Sequence, residues 1–269
     1  VWEFLDNSYA LNHTQKLQPI GTTEIAGKTY EELSTRLQKR LRDFEVSIAH
    51  IEKAKTQDIT LLFARLQLAA PLNSAELRNA ILCPLRHEVD VTALNHEFFA
   101  SCRISSARMK HQDYTAHAYA LATNGHHADL KAPDLRELYL ESPNLEKQEL
   151  LDRSIEVDEA LELLHDINVA ANSRITQKWM FCDLVYFLIK QIRLDAVVDT
   201  DEMARLYREF DVKRLANTRD SDALLEGDHS DADQDLYDYI QAFRIEGGKQ
   251  QNIEVRAGVL DRLFEECIR

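Results

Sequence analysis

The chain has 269 residues, 29% of them charged, and a formal net charge of −14. Its length suits one large domain or two small ones with a real core. The acid excess excludes a general polyanion binder, and the lack of a transmembrane-length apolar run or a signal peptide points to a cytoplasmic protein with no membrane partner. Seven Gly and five Pro, beside abundant Leu, Ala, Glu and Arg, favour a mainly helical fold. The four cysteines, Cys83, Cys102, Cys182 and Cys267, lie far apart without a CxxC pair, as expected of reduced, buried thiols.

The chain opens at Val1 inside an apparent helix, VWEFLDN, with no cap before it, so its natural beginning is expected upstream. Residues 11–25 read as irregular, with a short strand around 17–20. Gly27-Lys28-Thr29 leads into a helix ending near Leu41, with Thr29 and Glu32 as a capping box. Phe44, Val46, Ile48 and His50 alternate with Glu45, Ser47 and Ala49, the best strand signal in the chain. A helix over 57–68 follows. A turn at Pro71-Leu72-Asn73 then starts another, in which Asn73 caps and Glu76 reaches back.

From residue 90 the pattern is helical almost throughout. Expected helices cover 90–101, 105–122, 134–140, 144–171, 175–194, 201–215, 234–245 and 253–268. The one carrying Trp179, Phe181, Leu184, Val185, Phe187, Leu188 and Ile192 is apolar over most of its circumference and should be central. Between 220 and 235 there are seven acidic residues and no Lys or Arg, so half of the net charge falls in one expected loop. A local basic surface remains open to the rest, for example at Arg36, Lys39, Arg40 and Arg42.

Motifs for chemistry are weak. Gly21-TTEIA-Gly27-Lys28-Thr29 has five residues between its glycines where a phosphate-binding loop needs four, so a Gly turn feeding a Thr-capped helix is the better reading. Asp231-Ala-Asp233-Gln-Asp235 begins like a calcium loop, but Leu236 stands where Gly is required. His111, His117, His126 and His127 have no metal-ligand spacing and read as surface histidines. Asp113, Asp166 and Asp183 lie on helices, where salt-bridge partners are commoner than general bases. No metal site and no catalytic residue is assigned.

Phe63-x-Arg65-Leu66, followed by Pro71-Leu72-Asn73-x-x-Glu76-Leu77-Arg78-Asn79-Ala80, resembles the core motif of a prokaryotic domain-of-unknown-function family. Its best-known member is the N-terminal domain of GmrSD-type modification-dependent restriction enzymes. Gly27-Lys28-Thr29-Tyr30, Phe44-Glu45-Val46, Arg108-Met109-Lys110 with Asp113, and Asn252-Ile253-Glu254 with Arg256 resemble further family segments in order. The similarity spans nearly the whole chain, and only the first motif is strong. Where members carry Asn and a Gly pair, this chain has Gln67 and Ala69-Ala70, which removes backbone freedom. The family's Asp-Gly-Gln-Gln-Arg signature would fall upstream of Val1, and no downstream His-Asn-His nuclease arrangement follows.

The resemblance implies a small α/β remnant of a ParB/sulfiredoxin-like domain over 1–82. A helical domain over 83–269 follows it, with the acidic loop near 220–235. It implies a portion of a defence-type restriction protein, NTP-dependent or NTP-sensing and acting on DNA, with NTP and Mg as cofactors and DNA, a nuclease subunit or a second copy as partners. Arg65, Asn73, Glu76, Arg78 and Asn79 would then frame a nucleotide or phosphate pocket, the two arginines donating to phosphate oxygens. The plain alternative is that Arg65 pairs with Glu76 and that Asn73 only caps. The competing function is a non-catalytic helical interaction module or an inactive relative.

Overall fold

The computed structural model describes residues 2–11, 25–44, 53, 55 and 72–269. Expected features at 12–24, the strand after Phe44, the 57–68 helix, Arg65, Gln67, Ala69, Ala70 and Pro71 lie outside the described residues. The chain divides into two compact units, Val1–Thr56 and Gln57–Arg269, so the Asn73 turn belongs with the helices that follow it. The described residues are mainly helical. Their only extended pairing is an isolated antiparallel bridge between Val198 and Ile268.

In the first unit, α1 spans Trp2–Leu5 and α2 spans Thr35–Arg42. Phe4 is buried against Tyr9 and Tyr30, with ring centroids 5.6 and 6.0 Å away. The Thr29–Glu32 contact forms as expected, Glu32 accepting from the Thr29 amide at 2.7 Å. It closes a turn, however, and the helix begins only at Thr35. One reason is that Gln38 donates to the carbonyls of Tyr30, Glu31 and Leu33, stabilising the turn over 30–33 in place of a helix.

The second unit carries α3 (Ser74–Asn79), α4 (Pro84–Asn95), α5 (Glu97–Ser101), α6 (Lys110–Asn124) and α7 (Ala132–Glu141). Then come α8 (Lys147–Ala170), α9 (Lys178–Arg193), α10 (Thr200–Asn217), α11 (Asp231–Arg244) and α12 (Gln250–Leu263). Helix α9 is the central one, packing on α6, α8 and α12. Every residue from Met180 to Ile189 is buried. Val157, Ala160, Leu161, Leu164 and Ile167 recur at the i, i+3, i+4, i+7 spacing that puts one face of α8 on the core.

Two expectations are corrected. The acidic stretch is not all loop: Ser230 and Asp233 form a reciprocal capping box, and Asp231, Asp233 and Asp235 start α11. Carboxylates are favourable in a first helical turn, facing the positive end of the helix dipole. Helix α6 begins at Lys110 rather than 105, because Arg108 and Met109 both take left-handed conformations, φ 55° and 58°. No helix among the described residues is long and apolar enough to cross a membrane.

Candidate functional site

The expected capping geometry at Asn73 is present. Its Oδ1 accepts from the Glu76 amide at 2.9 Å, and Glu76 accepts from the Asn73 amide at 2.8 Å. The remaining polar atoms of the cap bind Arg108, whose backbone is left-handed at φ 55°. Asn73 Nδ2 donates to the Arg108 carbonyl at 3.0 Å, while Glu76 receives the Arg108 guanidinium at 2.9 and 3.2 Å. The Arg108 guanidinium hydrogen bonds and the Asn73 amide hold the Glu76 carboxyl below its usual range. Asn79 turns elsewhere, accepting from Arg86 Nε at 3.2 Å. Consecutive helical residues point about 100° apart, so Arg78 and Asn79 face different surroundings.

Arg78 departs from this local network. It is 2% exposed, and its Nη2 is paired with Asp113 on α6. Its Nε and Nη1 are buried and have no hydrogen-bond partner among the described residues, and the guanidinium carbon lies 6.0 Å from the Tyr139 ring centroid. Lys178, at the start of α9, holds the other Asp113 oxygen at 2.6 Å. Burial pushes the Asp113 carboxyl up, but neighbouring His117, Lys178 and Arg78 outweigh it and hold it below the usual range. His117 is itself neutral near pH 7, so there the two cations carry that effect.

His117 lies one helical turn after Asp113 and is buried, not on the surface as its sequence context suggested. Its Nδ1 is 2.6 Å from the Asp113 backbone oxygen. A carbonyl only accepts, so Nδ1 carries the hydrogen and Nε2 keeps the lone pair. Burial lowers its pKa to about 4; Asp113 opposes that shift, and Lys178 and Arg78 reinforce it.

These groups line a cavity of about 510 Å³. Four cations, Arg78, Lys131, Lys178 and Arg244, line it with two carboxylates, Asp113 and Glu246, and Lys131 is paired at 2.6 Å with Asp129 beside it. The cavity is thus locally positive on an acidic chain. Trp179, Leu130, Leu135 and Phe243 supply apolar wall, closed by Gly247 and Gly248. The Gly pair lies flat on the indole: a Cβ at Gly247 would come within 2.5 Å of Trp179 Nε1. On the same indole, the Arg256 guanidinium carbon sits 5.6 Å from the ring centroid.

A second cavity of about 550 Å³ lies among α4, α5 and α8 and has the opposite character. Glu97, Asp158, Glu162 and Asp166 line it with His96 and His165. His96 is engaged as the α5 cap and His165 contacts Ser101 Oγ at 3.1 Å. Among the described residues no group of three His, Cys, Asp or Glu side chains is placed to hold a metal ion. All four cysteines are free thiols.

Of the four described residues expected to frame a nucleotide pocket, Arg78 lines the positive cavity, with Asn73 and Glu76 on the neighbouring cap and Asn79 outside it. The sequence placed His117 on the surface and Asp113 in an ordinary salt bridge, and gave no sign of Lys178, Lys131, Arg244 or the Gly247-Gly248 pair at a site. The Asp113–His117 spacing of four was the only local signal for them. No protein-family model, curated protein sequence or solved structure matches this chain.

Proposed function

We propose that the Gln57–Arg269 unit binds the phosphates of a nucleotide in the cavity around Arg78. In this reading the chain is a portion of a prokaryotic defence-type restriction protein, NTP-dependent or NTP-sensing and acting on DNA. One observation carries the pocket: a buried guanidinium with two nitrogens unpartnered among the described residues, beside Lys178, on a cavity large enough for a nucleotide. Buried N–H groups without partners are costly, and a phosphate oxygen meets that need with charge-assisted hydrogen bonds. The restriction context rests on the motif resemblance from Arg65 to Ala80.

The chemistry assigned to this chain is binding and orientation. Arg78 and Lys178 receive phosphate oxygens, Asp113 keeps both cations in place between binding events, and Trp179 with the Gly pair limits the ligand's width. Titration of the full chain with ATP, with and without Mg, tests the reading by calorimetry. Arg78→Ala should weaken binding by about 10- to 100-fold, the worth of one or two charged hydrogen bonds, and Lys178→Ala by about 10-fold. If ATP binds neither wild type nor variants, or binds all equally, the nucleotide reading is wrong.

The second reading, a non-catalytic helical interaction module or an inactive relative, is favoured by exposed apolar side chains. Leu94 is 73% exposed and Leu82 67%, with Leu151 and Ile155 also outward. A stable partner complex formed by a protein that binds no nucleotide would establish it.

A further inference from the structure

The positive cavity is not uniformly made of donors. Arg78 lines it with a guanidinium whose Nε–H and Nη1–H have no hydrogen-bond partner among the described residues, and Lys178 brings its ammonium. His117 lines the same space, with Nδ1–H spent on the Asp113 carbonyl. Its ring makes no other hydrogen bond to the described residues, so the Nε2 lone pair is left as an acceptor. An occupant that satisfies this set must accept at two or more oxygens and donate at one.

We propose that this cavity takes a terminal phosphate, a phosphomonoester or the end of a polyphosphate, and that one P–OH hydrogen of that group is shared with His117 Nε2. The inference rests on the nucleotide reading above and narrows it. A phosphodiester has no P–OH, so its non-bridging oxygen would meet the imidazole lone pair to lone pair. Nucleic-acid backbone is therefore disfavoured in this cavity, and a free nucleotide end is selected.

Binding then carries a proton. The second pKa of a phosphomonoester is about 6. Above it the ligand arrives as a dianion, and the complex takes up one proton from solvent. The groups facing His117 are Asp113 on its own helix, Arg78 from α3 and Lys178 from α9. Lys131 before α7, and Arg244 and Glu246 at the end of α11, line the same cavity. With a dianion present, Lys178 and Arg78 are matched by ligand charge, and the resistance of His117 to protonation is relieved.

The test uses the full chain with methyl phosphate and dimethyl phosphate as probes. At pH 5 both probes are monoanions, differing by one P–OH. Methyl phosphate should bind at least about 10-fold tighter, the worth of one hydrogen bond to a charged ligand. At pH 7.5, calorimetry in buffers of different ionisation enthalpy should show uptake approaching one proton per methyl phosphate and none for dimethyl phosphate. Affinity for methyl phosphate should fall about 10-fold per pH unit above its second pKa. His117→Phe should erase the preference at pH 5 and the proton uptake. Equal affinities at pH 5, or binding without proton uptake at pH 7.5, overturn the shared proton while Arg78-dependent binding leaves the anion pocket standing. Binding of neither probe by wild type overturns both. The wild-type measurements decide the matter even if His117→Phe does not fold.

Discussion

Arg256 grips both carboxylate oxygens of Asp183 through Nε, at 3.0 and 2.8 Å, with the guanidinium fully buried. Tyr239 donates to the same carboxylate at 2.9 Å, and Arg256 Nη1 donates to the Ala242 carbonyl at 2.9 Å. The network ties α9, α11 and α12 together directly behind Trp179, and so fixes one wall of the positive cavity. Removing one member leaves an unpaired buried charge. Arg256→Met is expected to cost about 3–5 kcal/mol, and the double variant Arg256→Met with Asp183→Leu to recover most of it. Urea unfolding of the two variants checks this.

Helix α9 ends in a reciprocal turn that glycine normally completes. The Ala196 amide donates to the Gln191 carbonyl at 3.1 Å and the Asp195 amide to that of Ile192 at 3.0 Å. Asp195 sits between them at φ 54°, a left-handed conformation costly for a residue with a Cβ. Its carboxylate also faces the negative end of the helix dipole. Asp195→Gly should stabilise the unit by about 1 kcal/mol, seen as a higher Tm; an unchanged or lower Tm would show that the turn is not under strain.

The Gly247–Trp179 contact is a close backbone approach. Gly247→Ala places a methyl where Nε1, Cδ1 and Cε2 of the indole all lie under 3.0 Å away, so the ring must move. A loss of about 1–3 kcal/mol is expected, with a shift in tryptophan emission. The Leu130 amide bond to the Gly248 carbonyl, at 2.7 Å, should weaken in parallel by hydrogen exchange.

Acid stability depends on His117. Its pKa is about 4 in the fold against an ordinary 6.5, because burial disfavours the imidazolium. Below pH 6.5 the unfolded chain takes up a proton that the folded chain refuses. The stability this provides is full above pH 6.5 and is lost as pH falls, at about 1.4 kcal/mol per unit and about 3 kcal/mol by pH 4. Asp113, held below its ordinary value, adds its own loss only below that range. Urea midpoints measured from pH 7 to pH 4 should fall accordingly, and His117→Gln should flatten the slope.

Much of the helical unit was legible because helical periodicity is local. Seven of the eight helices expected after residue 90 correspond to observed ones within a few residues at most ends, and the apolar girth of α9 marked it as central; the one expected over 90–101 is two, α4 from Pro84 and α5 from Glu97, divided by the extended backbone at His96. The Asn73 cap was equally readable, since a cap and its Glu lie three residues apart. The site was not. Asp113 lies 35 residues from Arg78, and Lys178 lies farther still; only tertiary packing joins them. Arg78 and Asn79 looked alike in sequence, yet the helical turn between them sends one into the cavity and the other to Arg86. Left-handed Arg108 and Met109 gave no glycine signal, so the start of α6 was placed too early. The acidic run from 220 to 235 reads as loop by its charge, whereas the Ser230–Asp233 box within it starts α11.

In the proposed site Arg78 holds buried donors for an anion. Proton–nitrogen correlation spectra of the arginine side chains follow this directly during titration with inorganic phosphate. Arg214 is the internal control, since its Nε and Nη2 are both committed to Asp211, at 3.2 and 2.8 Å. The Arg78 Nε–H resonance is predicted to move saturably with phosphate while that of Arg214 stays fixed. An Arg78 resonance that does not move at high phosphate would show that Arg78 is not an anion donor.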